Sequence, residues 1–307
     1  MSKKWLGLAL ASVLMVGALA GCGDKKDDAS SDTSPSASTA TVAPSDSASP
    51  STEATKGPEI EGKVSASGSS ALLPLVNLAR EKFMANNPKV EINATAGGSG
   101  VGVKNVADGV SDIGNSDVVA DAQYKDALVD HVVALAPFAL IVSKDVTVTT
   151  LTKQQAADIF MGKIKNWKEV GGADAPINLV HRPDSSGSRK LVKQIILDGQ
   201  DFSKDGTTQD SSKTVAEAIA TGKGSIGYVD APYVTDKVTA LQLNGVAFSK
   251  DSIKDGTYPL YGIEHMYTKG EATGAVKAFI DYMTSSDFIN SPEAEALGFL
   301  PADLIQK

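Results

Sequence analysis

The chain is poor in cysteine, histidine and aromatic residues: one Cys, three His and 6% Phe, Trp and Tyr in 307 positions. A solitary thiol excludes an internal disulfide framework. His131, His181 and His265 lie far apart without ligand spacing, so neither a metal site nor a cofactor is expected. None of the three stands in a motif that would partner a nucleophile. Gly97-Gly98-Ser99-Gly100-Val101 misses the Gly-x-Ser-x-Gly elbow at Val101. A phosphate-binding P-loop also fails, because Val103 follows Gly102 and Lys104 comes one residue late. These absences weigh against a secreted serine hydrolase built on Ser99 or Ser186, and the chain is read as a non-enzyme. A basic excess is missing too: 29 Lys and Arg face 37 Asp and Glu, a net charge of −8. That excludes the usual electrostatics of nucleic-acid binding. After residue 21 no apolar run is long enough to span a bilayer.

What is present begins with a processing signal. Lys3 and Lys4 precede an apolar run from Trp5 to Ala20 broken only by Ser12, the layout of a secretory signal peptide over 1–21. It ends in Leu19-Ala20-Gly21-Cys22, which resembles the bacterial lipobox, so Cys22 is expected to carry the lipid (palmitate) anchor. Loss of 1–21 removes Lys3 and Lys4 and takes the net charge from −8 to −10. Residues 22–61 begin at Cys22 and are rich in Ser, Thr, Ala, Asp, Lys and Pro with almost no large apolar side chain, and no aromatic occurs between Trp5 and Phe83. Such a segment cannot offset its ordering entropy and reads as a disordered tether. As a flexible coil it would reach roughly 35 Å.

From residue 62 onward strand and helix patterns alternate, which implies α/β layers with ligands at the C-terminal ends of strands. Lys63–Ala66 reads as a strand. A helix over 71–86 follows with Leu72, Leu75, Val76, Ala79 and Phe83 on one face, and Pro74 fits only its first turn. Val90, Ile92 and Ala94 alternate with polar residues as a half-buried strand. The glycines of 97–102 predict a turn before a brief helix through Val103 and Val106, and 112–114 a further strand. The apolar run His131–Ser143 contains Pro137, which argues against one uninterrupted strand, so it reads as a crossing between lobes. Helices over 152–160, 188–197 and 215–219 and strands at 177–180 and 226–229 follow, then a helix with Val276, Phe279, Ile280 and Met283 on one face. The length suits two lobes, 62–140 plus 255–307 and 141–254.

Gly68-Ser69-Ser70, Gly97-Gly98-Ser99-Gly100 and the run from Arg182 to Ser188 each follow a predicted strand and precede a predicted helix. A helix N-terminus exposes unpaired N–H groups and partial positive charge, so each turn is a small anion trap. Three of them, rich in hydroxyls and sharing one Arg, point to a single oxyanion held from several sides.

These loops, with Ser111-Asp112-Ile113-Gly114 and Phe160–Trp167 in the same order, resemble the phosphate-binding proteins that feed bacterial ABC transporters, the PstS family in its Gram-positive lipoprotein form. The resemblance implies an α/β, two-lobed periplasmic-binding-protein-like fold of type II with inorganic phosphate in the cleft. It also implies a monomer, lipid-anchored at the extracytoplasmic face of the cell membrane and delivering to permease subunits. On the family pattern Ser69, Ser70 and the N–H of Ala71 contact phosphate from one side, with Ser99 and the N–H of Gly100. Asp112 is the pocket carboxylate. Arg182 reaches across, oriented by Asp184, and Ser186, Gly187 and Ser188 close the ring. The sequence departs from the pattern at Asn115-Ser116-Asp117, which lacks the Arg common after Asp-Ile-Gly.

An acid in an anion site is explained if it accepts a hydrogen bond from a protonated ligand oxygen, since an ionised carboxylate only accepts. Phosphate carries that proton near neutral pH and sulfate does not. The alternatives are binding of sulfate, molybdate or tungstate, and a tethered surface protein without a small ligand.

Overall fold

The computed structural model describes residues 59–305, so the expected signal peptide, Cys22 and the tether up to residue 58 lie outside the described residues. The fold starts with β1 (Gly62–Gly68), α1 (Leu73–Asn86) and β2 (Val90–Ala96), with β2 parallel to β1. Leu75, Val76, Ala79 and Phe83 recur at helical spacing and are buried, which is why α1 lies on the sheet. Pro74 sits in the first turn, where a missing N–H breaks no bond.

α2 (Ser99–Ala107) and β3 (Ile113–Ser116) follow, and β3 runs parallel to β1 on its other side. The turn predicted over 97–102 is shorter than expected, because α2 already starts at Ser99. Gly98 makes the bend with φ +88°, a conformation L side chains resist. Gly102 is helical and is required for another reason: a Cβ there would lie 2.6 Å from the Cα of Gly68 and the carbonyl oxygen of Ser67. Helix and strand therefore pack backbone to backbone beside the Ser69 turn.

β4 (Val129–Val142) leads to β5 (Thr150–Leu151), α3 (Lys153–Phe160), β6 (Asn178–His181), α4 (Gly187–Ile195), β7 (Thr207–Thr208), α5 (Ser212–Thr221) and β8 (Ser225–Asp230). The chain closes with β9 (Thr239–Ala240), β10 (Gln242–Leu243), α6 (Lys250–Lys254), β11 (Tyr261–Thr268), α7 (Gly274–Thr284), α8 (Ser286–Ile289) and α9 (Pro292–Ala296). The main sheet has the order β2-β1-β3-β11-β4-β8-β6-β7, with β11 antiparallel to β3 and β4, and β8 antiparallel to β4.

Pro137 does not interrupt β4, contrary to the expectation from sequence. The strand pairs with β11 through Pro137 and with β8 from Phe138 onward. The N–H of Phe138 points to Leu260 and that of Leu135 points the other way, to Leu300. Position 137 shares the direction of 135, and β8 has already ended there, so no ladder bond is lost. Proline thus stands where the strand changes partners, and the sheet falls into two halves joined by β4. Trp167 is a packing residue: it is buried, with its Nε1–H donating to the carbonyl of Gly224 at 3.0 Å.

Candidate functional site

Two pairs of parallel strands, β1 with β3 and β6 with β8, end at the seam between the two halves, and the residues at or just past their ends supply the site. Ser69 and Ser70 follow β1, Asp117 follows β3, Arg182 follows β6, and Asp230 ends β8. The starts of α2 and α4 add Ser99 and Gly187-Ser188, and α5 adds Ser212. All these side chains are buried.

Asp117 is the hub. Its carboxylate accepts from Ser69 Oγ, and from Ser188 Oγ at 3.1 Å, while its N–H donates to Ser99 Oγ at 3.1 Å. Ser69 Oγ in turn accepts the N–H groups of Ala71 and Leu72, each at 3.0 Å, which fixes its hydrogen toward Asp117. Burial pushes the Asp117 carboxyl above its ordinary range, and the Ser69 hydroxyl, the Arg182 charge and the Ser188 hydroxyl hold it back.

Arg182 is 2% exposed and ties the halves together. Its Nη2 donates to Ser70 Oγ at 3.2 Å and to the carbonyl of Asp210 at 3.1 Å, and Nη1 donates to Ser212 Oγ at 3.3 Å. Ser70 Oγ also accepts the N–H of Ser212 at 3.1 Å, and its carbonyl accepts from Tyr233 Oη at 3.4 Å. Burial lowers the Arg182 pKa and Asp117 raises it, yet a guanidinium keeps its proton throughout the physiological range.

The glycines allow the close approach. The N–H of Gly100 donates to the carbonyl of Ser185 at 2.9 Å, and a Cβ on Gly98 or Gly100 would stand 3.2 Å from that oxygen. A Cβ on Gly187 would collide with Ser99 Oγ and lie 2.8 Å from Asp117 Oδ2. Ser186 caps α4 by accepting the N–H of Arg189 at 3.3 Å, and leaves the first-turn donors of Gly187 and Ser188 at the seam.

The structure brings together Ser69, Ser70, Ser99, Arg182, Ser186, Gly187 and Ser188. It uses the N–H groups of Ala71 and Gly100 in internal bonds, to Ser69 Oγ and the Ser185 carbonyl. Two expected residues are elsewhere. Asp112 is exposed at the entry of β3, where its carboxylate accepts the N–H of Ser65 at 2.8 Å and Ser65 Oγ at 2.7 Å. It lies at the opposite end of the strand from Ser69, five residues or roughly 16 Å from Asp117. Asp184 does not orient Arg182. Its side chain is 97% exposed and accepts from Arg189 Nε at 3.0 Å, because the loop turns it outward.

Sequence reasoning missed Asp117, Ser212, Asp230 and Tyr233. Strand direction held the signal for Asp117: in a parallel sheet the ligand lies beyond the C-terminal ends, and Asp117 is the first residue past that end of β3.

A family model for the PBP superfamily domain matches residues 35–287 of the chain. The chain is 46% identical over 254 residues to the phosphate-binding protein PstS of Bacillus subtilis, covering 81% of this chain and 84% of the relative. Among solved structures it is similar to a candidate phosphate ABC transporter substrate-binding protein of Clostridium perfringens with bound phosphate. That match has TM-score 0.75 and 31% identity, and covers 78% of this chain and 100% of that one. An ABC-type phosphate transport receptor from Vibrio cholerae shares the fold at TM-score 0.64 and 23% identity, over 77% of this chain and 99% of that one. These neighbours give the fold its class, a two-lobed type II binding protein, and they are binding proteins rather than enzymes.

Proposed function

The chain belongs to the family of PstS phosphate-binding proteins, and on that premise we propose that it captures inorganic phosphate outside the cytoplasm for an ABC-type importer. The observation that carries the reading is Asp117, a buried carboxylate set among the serine hydroxyls and beside the one buried guanidinium of the cluster. Phosphate bearing a proton gives this acid a hydrogen bond to accept. Sulfate would face it as an unpaired charge, at a cost of at least a few kcal/mol. Arg182 supplies charge-assisted donors to the other oxygens. The hydroxyls of Ser69, Ser70, Ser99 and Ser188 and the first N–H groups of α4 complete the shell without adding charge.

The reading extends to how the protein works. Residues 62–140 with 255–307 form one lobe and 141–254 the other, and the anion touches both only when they are closed, so binding shifts the population toward closure. The protein acts as a monomer, held to the extracytoplasmic face of the membrane by a lipid on Cys22, and passes its cargo to the permease subunits. Among the described residues no helix is long and apolar enough to cross a membrane.

Isothermal titration of the purified protein with phosphate and with sulfate tests the ligand. Phosphate binding that excess sulfate does not displace is expected. Tighter sulfate binding, or no binding of phosphate, overturns the reading.

A further inference from the structure

Behind Asp117 stand two further acids that no contact described so far uses. In the antiparallel register of β3 and β11, Met266 pairs with Asn115 and His265 with Ser116. Carried one position past the end of β3, that register sets Glu264 opposite Asp117 on the same face of the sheet. Asp230, at the end of β8, is paired with Phe138 on the neighbouring strand. Glu264 and Asp230 are both 0% exposed, and among the described residues no hydroxyl, amide or cationic donor satisfies the carboxyl oxygens of Glu264.

Charge balance decides their state. The cluster holds three buried carboxyls, Asp117, Asp230 and Glu264, and its one buried cation, Arg182, spends its hydrogen bonds on Ser70, Ser212 and the Asp210 carbonyl. Three ionised acids would leave two uncompensated buried charges even before an anion arrived. Burial of unpaired charge costs so much that such groups neutralise instead. Asp117 is the member supplied with donors, from Ser69 and Ser188, and so is the one that stays ionised. The three do not converge as ligands to a cation. Burial and the nearby Asp117 and Asp230 charges push the Glu264 carboxyl well up, in the same direction. His265, next to Glu264 along β11, is already paired with Asp130 of β4 at 2.8 Å.

We infer that Glu264 is a neutral positioning acid that turns its carboxyl O–H toward Asp117, holding that carboxylate ionised and aimed at the proton of the bound anion. The role rests on the phosphate reading for its purpose but not for its chemistry. A neutral acid opposite Asp117 lends a donor where an ionised one would repel both Asp117 and the ligand. Glu264 contacts no ligand itself. It acts through Asp117, and so sets how firmly the site demands a proton-bearing guest.

Infrared difference spectroscopy of the ligand-free parent against Glu264→Gln at neutral pH tests the protonation state directly. The C=O stretch of a neutral carboxylic acid, sensitive to exchange into D₂O, is expected to be lost in the variant. Asp117→Asn should shift that band upward, because an amide oxygen is a weaker acceptor than a carboxylate. Inorganic phosphate titrations then read the consequence. Glu264→Leu should weaken binding roughly tenfold or more, and Glu264→Gln, whose amide still donates, should recover most of that loss. If Glu264→Gln removes no acid band, or if Asp117→Asn leaves the band unmoved, the inference is overturned. The infrared arms need neither phosphate nor the leucine variant, so a band that behaves as expected in a parent that fails to bind phosphate supports the neutral acid while overturning the function.

Discussion

Ser188 Oγ donates to a carboxylate oxygen of Asp117 at 3.1 Å, joining the first turn of α4 to the end of β3 across the seam of the sheet. The same carboxylate accepts from Ser69 after β1, so one acid reads the position of both halves. Asp117→Asn keeps the shape but makes the group a donor as well as an acceptor. Phosphate affinity should fall roughly tenfold or more, and the preference over sulfate should shrink. Asp112→Asn should change neither, because Asp112 is spent on Ser65 at the far end of the strand. Paired titrations of the two variants with both anions check this. An effect confined to Asp112 would place the acid wrongly.

Arg182 and Asp184 give the second contrast. Arg182→Ala removes the cluster's guanidinium and leaves Ser70 and Ser212 without their charged donor. Binding of any oxyanion should weaken at least about a hundredfold, the scale of a lost charge-assisted bidentate contact. Arg182→Lys should restore only part of it, since an ammonium cannot fork to both serines. Asp184→Ala breaks a surface pair with Arg189 and should leave phosphate affinity within about twofold of the parent. Equal losses from Asp184→Ala and Arg182→Ala would mean that the exposed pair matters to the site after all.

Much of this site was legible beforehand, and the misses have physical reasons. The serine and glycine turns before α1, α2 and α4 were readable because strand and helix periods change abruptly around them. Arg182 stood out as the one cation in those turns. The Asp-Ile-Gly motif points to Asp112, but β3 runs from Ile113 to Ser116, so its C-terminal end brings Asp117 to the site instead. Asp184 matches the family pattern beside Arg182, yet the loop delivers it to Arg189, five residues on. Ser212, Asp230 and Glu264 carry no local signature. They meet the cluster only through sheet order, which places β11 and β8 on either side of β4. Pro137 misled for the same reason: only the pairing shows that its absent N–H faces a position without a partner.

Gly187 should be among the least replaceable residues of the seam. A Cβ there would overlap Ser99 Oγ and press on Asp117 Oδ2, so the halves could not come together this closely. Gly187→Ala should therefore fold normally, since α4 gains a better helix former, yet bind phosphate at least about tenfold more weakly. Small-angle scattering should show a variant that fails to contract when phosphate is added, whereas the parent contracts. A variant that contracts and binds like the parent would remove Gly187 from the closure.

The buried acids also dictate how stability depends on pH. Burial holds the Asp230 and Glu264 carboxyls well above their ordinary values. The folded protein therefore keeps protons that the unfolded chain has released above about pH 4.5. A state that binds more protons loses stability as pH rises, by up to about 1.4 kcal/mol per pH unit for each such group until it ionises in the folded state. His181, whose pKa burial lowers, works the other way but only near and below its unfolded value, about 6.5. The window from about pH 7 to 8.5 thus isolates the acids. Across it the ligand-free parent should lose melting temperature steadily, and the double variant Asp230→Asn, Glu264→Gln should lose distinctly less. Thermal melts of both proteins in matched buffers decide the matter. Parallel curves would mean that these carboxyls are already ionised in the fold, and a rise with pH in the parent would reverse the sign derived from their burial.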